Sequence, residues 1–158
     1  MATPLDLTHW CLFLCAVSAV NIAAWGASAV TLGRRQSRLA GEVRNTRRLL
    51  LALSAVYVLG CAFRSLVPVY DIPRLTLADS TLATVLIGRS VATLAELAFI
   101  AQCALLLYEF ARTTDGLLAR RAALIAVPLI ALAECFSWYS VLTTSNFGHM
   151  IEESLWGI

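Results

Sequence analysis

Four long apolar runs, separated by short charged stretches, constrain this chain more than any other feature. A run of about 20 apolar residues is what an α-helix needs to cross the hydrocarbon core of a bilayer. Inside lipid the backbone must satisfy its own hydrogen bonds, which a helix does within one segment. The runs predict spans over about residues 9–32, 49–67, 81–110 and 122–144, followed by a tail, 145–158. The expected fold class is therefore all-α, a polytopic transmembrane helical bundle. The spans use most of the 158 residues, so the expectation is one membrane-embedded domain over 1–158, with no soluble domain. Hydrophobic residues make up 59% of the chain and the mean hydropathy is +0.77, whereas soluble domains are nearer half apolar.

Charge placement gives the orientation. All 12 basic residues are arginine, a bias that points to a GC-rich genome and an expected bacterial inner membrane. Half of them fall between Arg34 and Arg48. Basic clusters also occur in nucleic-acid-binding proteins. This one lies between two spans with no interleaved aromatics, so it reads as a topology signal and no nucleic-acid partner is expected. Loops 33–48 and 111–121 together hold nine arginines, and loop 68–80 holds only Arg74. The positive-inside rule makes the two basic loops cytoplasmic. The N-terminus, loop 68–80 and the tail then lie outside, in the periplasm of a Gram-negative cell. Cytoplasmic arginines of this density also suit anionic lipid.

The start, MATPLDLTH, has no basic n-region, and arginines follow the first apolar run closely, so that run reads as an uncleaved anchor. Its stretch Ser18 to Ala29 is rich in Ala, Ser and Gly and predicts a tightly packed helix face. Pro68 and Pro73 stop the second span, and Pro128 predicts a kink near Leu124 in the fourth. In the tail, Asn146-Phe147-Gly148 reads as a turn and Met150 to Ile158 as a helix. That helix is either interfacial or the opening of a fifth span. Five cysteines, Cys11, Cys15, Cys61, Cys103 and Cys135, all lie in apolar runs without CxxC spacing. They read as small packing residues, not as disulfides or zinc ligands.

Ionisable groups inside spans are costly and usually face protein or a cavity. Glu96 lies near the middle of span three and Glu134 near the middle of span four. Short loops make consecutive spans antiparallel neighbours, so the two carboxylates are expected to meet near the bilayer midplane. Close carboxylates do not both ionise readily; such a pair binds a cation, relays protons or holds a metal. Arg64 and Arg89 lie nearer the outer face, and Arg89, Thr93 and Glu96 share one helix face at i, i+4 and i+7. Glu96, Glu134, Arg89 and Arg64 are the candidate ligand- or ion-binding residues. The plainer alternative is that they are interhelical salt bridges that fix the packing. Glu109 and Arg112 read as a surface i, i+3 pair, and Gln102 as an interhelical hydrogen-bonding residue.

A second polar group collects at the outer end. Trp138 and Tyr139 suit an aromatic belt. His149 with Glu152 or Glu153 has the i+3 or i+4 spacing at which a helix presents metal ligands, and the topology puts His9 on the same side. His149, Glu152, Glu153 and His9 thus form a candidate metal set, against the plainer reading of solvated headgroup residues. There is no Gly-rich phosphate loop, no GxSxG and no Cys/His nucleophile pairing. Three functional readings follow: transport or small-ligand and ion binding; an accessory subunit of a larger membrane complex; and an intramembrane metal-dependent enzyme. No particular cofactor is specified. The expected partners are the lipid bilayer and, in the second reading, other membrane subunits.

Overall fold

The structure, a computed structural model, describes residues 4–35, 38–70, 75–76 and 80–157. It is an all-α bundle of α1 (Pro4–Arg35), α2 (Gly41–Leu66), α3 (Val85–Thr114), α4 (Leu117–Thr143) and α5 (Asn146–Trp156). Four of these, over His9–Arg35, Gly41–Leu66, Val85–Thr114 and Leu117–Thr143, are long and apolar enough to cross a membrane. They support a multi-pass membrane protein. A two-residue hairpin lies between α2 and α3, where β1 (Val69–Tyr70) pairs antiparallel with β2 (Leu75–Thr76), Val69 opposite Thr76. The sequence had marked this stretch only as a loop; Asp71, Arg74 and Asp79 lie outside the described residues.

Each helix packs mainly on its neighbour in sequence, α1 on α2, α2 on α3, α3 on α4 and α4 on α5. The contacts run antiparallel. Arg112 meets Glu42 at one end of the α2–α3 pair, Phe99 stacks on Tyr57 further along, and Ala95 lies beside Gly60 beyond that. Small residues set the spacing. Ala92, Ala95, Ala98 and Ala133 are buried, and a Cβ on Gly60 would lie 2.7 Å from that of Ala95. Lipid supplies no hydrophobic drive for helices to associate, so close backbone approach takes its place.

Several boundaries and contacts differ from the sequence reading. The first basic loop is short, because α2 begins at Gly41 and Glu42–Arg48 are already helical. The small residues of Ser18–Ala29 do not form the tight face expected of them. Within that stretch only Ser18 is buried, since α1 packs on α2 alone among its close neighbours. The dense small-residue packing belongs to α2, α3 and α4 instead. Gln102 hydrogen-bonds the Ala98 carbonyl of its own helix, not a neighbouring helix. Arg112 reaches across to Glu42, not to Glu109. α2 ends before Pro68 as expected, and α4 runs through Pro128 without a break. All five cysteines are free thiols.

The tail folds back. The reversal occurs at Thr144, whose φ is 55°, and not over Asn146–Gly148, which form the first turn of α5. A branched residue takes up that left-handed backbone only when the surroundings demand it. The demand comes from α5 lying against α4. Gly148 is buried there, and a Cβ on it would collide with the Ser140 hydroxyl and come within 2.8 Å of the Phe136 carbonyl. At 11 residues, α5 is about 16 Å long.

Candidate functional site

Three helices deliver one polar cluster. On α3, Arg89, Thr93 and Glu96 follow one face, and Thr84 caps the helix by accepting from the Ile87 amide at 3.3 Å. On α4, Glu134, Ser137, Trp138 and Val141 stand at i, i+3, i+4 and i+7, the spacing of a single stripe. On α5, His149 and Glu152 lie one turn apart. The antiparallel packing of α3 on α4, and the return of α5, bring these faces together. Glu96 and Glu134 each lie about 5–6 Å to the same side of their own helix centre.

Arg89 is the hub. Its Nη2 donates to Glu134 Oε2 at 2.7 Å, to Glu152 Oε1 at 3.2 Å and to Glu96 Oε2 at 3.4 Å. Thr93 Oγ1 donates to Glu134 Oε2 at 2.5 Å, and Trp138 Nε1 donates to Thr93 Oγ1 at 3.1 Å. His149 Nδ1 lies 2.8 Å from Glu152 Oε2. The side chains of Arg89, Glu134 and Glu152 are only 6%, 4% and 8% exposed, whereas Glu96 is 25% exposed. One oxygen from each of the three carboxylates falls within 4.8 Å of the other two. A cavity of about 480 Å³ opens over the cluster, lined by Arg64, Arg89, Glu96, His149, Glu152, Glu153 and Trp156.

The pairing is incomplete. A guanidinium can offer five N–H donors in a rigid fork and commonly binds a carboxylate through two of them. Here all three carboxylates draw on one nitrogen. The buried Nε of Arg89 and the buried Oε1 of Glu134 have no hydrogen-bond partner, and neither do the Ser137 and Ser140 hydroxyls. A salt bridge built for stability alone satisfies its remaining polar atoms.

The two candidate sets from the sequence thus meet as one. Arg89, Glu96 and Glu134 are joined by Glu152 and His149 from the tail. Arg64 and Glu153 are exposed and line the cavity without pairing to the hub. His9 is exposed on α1, and α1 packs on α2, away from the α3–α4–α5 face, so His9 is not brought to the cluster. Sequence reasoning put Thr93 on the face of Arg89 and Glu96 and Trp138 in an aromatic belt, but did not foresee their hydrogen bonds to the cluster. A signal for Trp138 was available: it lies four residues from Glu134, on the same helical stripe.

No protein-family model matches this chain, and neither does any curated protein or solved structure.

Proposed function

We propose that this chain is a membrane protein that binds and handles cations, protons or metal ions, at the cluster around Arg89. One observation carries the reading: three carboxylates converge inside a helical bundle on a single guanidinium. Ionised acids are expensive in a bundle surrounded by lipid. One positive charge offsets one of the three negative charges, and the remaining two call for protons or cations. Ionisable groups that face the interior of a membrane bundle often mark ion pathways, and the cavity at the mouth supplies a route for exchange. The basic ends of α1, α2, α3 and α4, with Arg38 between the first two, carry nine of the 12 arginines. By the positive-inside rule they face the cytoplasm, so the cavity opens to the outer side.

The test uses proteoliposomes under an imposed proton or cation gradient. Flux in Glu134→Gln and in Glu152→Gln is expected to fall at least tenfold. Flux unaltered in both variants removes the reading.

A second reading, an accessory subunit of a membrane complex, is favoured by α1. Its small residues between Ser18 and Ala29 are largely uncovered, and such faces let a second helix approach closely. Purification in mild detergent checks it: a partner-free monomer in native extracts counts against it.

A further inference from the structure

The cation reading leaves open what closes the charge gap, and the geometry points to one occupant. We infer that Glu96, Glu134 and Glu152 hold a single divalent cation of the Mg²⁺, Ca²⁺ or Mn²⁺ class, with Arg89 as a fixed counter-charge beside it. This rests on the cation-binding reading above and names its ligand.

Three independent observations support it. The first is spacing. Two oxygens on opposite sides of a cation stand about 4.2–5 Å apart, given metal–oxygen distances of about 2.1–2.5 Å. One oxygen from each of the three carboxylates already lies within 4.8 Å of the others. The second is the buried Oε1 of Glu134. It belongs to a side chain that is 4% exposed and receives no donor, although the same carboxylate's Oε2 takes both Arg89 and Thr93. A carboxylate fastened through one oxygen, with the other bare, presents a lone pair that a cation can accept. The third is charge. Three carboxylates and one guanidinium leave two negative charges, and one divalent ion closes that gap without a second species.

The donor set selects the class. Carboxylate oxygens alone favour magnesium, calcium or manganese, whereas an imidazole favours zinc, iron and the later metals. His149 is tied to Glu152 through Nδ1 at 2.8 Å and is 30% exposed. That contact turns Nε2 away from Glu152, so His149 orients this carboxylate from outside the ligand set. Three carboxylates without a nitrogen are a set for Mg²⁺, Ca²⁺ or Mn²⁺. The cavity beneath Arg64 and Glu153 is the entry path, and its rim carries one charge of each sign.

The experiment is equilibrium dialysis of the purified full chain in mild detergent against Mn²⁺ and, separately, Ca²⁺, with Mn²⁺ also followed by electron paramagnetic resonance. One saturable ion per chain is expected, with affinity at least tenfold lower in Glu134→Gln and in Glu152→Gln, and unchanged in Glu153→Gln. Loss of the free-Mn²⁺ resonance on titration into the unmodified protein, saturating at one ion per chain, reports binding without relying on the stability of the glutamate variants. Wild-type protein that stays folded and binds neither ion saturably overturns the inference, as does equal binding in both glutamine variants. If no metal binds while Glu134→Gln still abolishes proton flux, protons fill the gap: the metal inference fails and the cation-handling reading stands. If neither metal binding nor flux depends on Glu134 or Glu152, both fall.

Discussion

At the arginine-rich end of the bundle, Arg112 reaches Glu42 at 3.2 Å, with side chains 61% and 79% exposed. At the other end, Arg89 reaches Glu134 at 2.7 Å, with side chains 6% and 4% exposed. Both contacts join neighbouring spans, and both pair arginine with glutamate. They differ in what surrounds them. The Arg112 pair stands at the mouth of an open cleft between α2 and α3, where solvent and headgroups screen it. The Arg89 cluster is walled by α3, α4 and α5, sets three carboxyl groups against one guanidinium and holds unsatisfied polar atoms. The first pair ties together the polar ends of two apolar helices. The second concentrates cost in one place, and natural proteins retain such costs where they have a use.

The contrast can be broken most sharply at Arg89. Arg89→Met leaves Glu96, Glu134 and Glu152 without the guanidinium they share and should destabilise the protein by about 3–5 kcal/mol, measured by reversible unfolding in mixed micelles. Adding Glu134→Gln to it should recover part of that loss. Wild-type stability in Arg89→Met would mean the guanidinium is dispensable and would erase the difference between the two ends.

Next comes Thr93→Val, which removes a donor to an ionised carboxylate and strands the Trp138 indole N–H. A loss of about 1.5–3 kcal/mol is expected, together with a changed Trp emission spectrum; Thr93→Ser should retain most of the stability. Gly148→Ala tests how α5 is held. Its added Cβ meets the Ser140 hydroxyl and the Phe136 carbonyl, an overpacking worth about 1–3 kcal/mol. Faster hydrogen exchange confined to α5 is the expected signature. The smallest effect belongs to Arg112→Ala, where an exposed pair contributes about 0–1 kcal/mol. Unfolding of that variant should overlay the wild type, and a loss comparable to that of Arg89→Met would sink the comparison.

The residues show what was legible and why. Hydropathy alone places four helices, because each span must be apolar over its own length whatever its neighbours do. Glu96 and Glu134 are legible as inward-facing for the same reason: lipid has nothing to offer a carboxylate. The role of Glu152 was not legible. Its reach to Arg89 spans 63 positions and depends on the chain reversing at Thr144. A tail of this composition fits an interfacial helix or a fifth span equally well. The face of Ser18–Ala29 misled for a related reason, since small residues permit close packing but do not choose the partner.

The amino-acid order determined on its own that this chain makes four membrane-length helices with acids hidden among them, since the energy of one residue in lipid is a local quantity. Only the tertiary structure decided which acids converge, which arginine faces them and that the tail joins them. Those are distances between residues far apart in the chain. Helix packing and one backbone reversal set them, and neither is written in the hydropathy of any single segment.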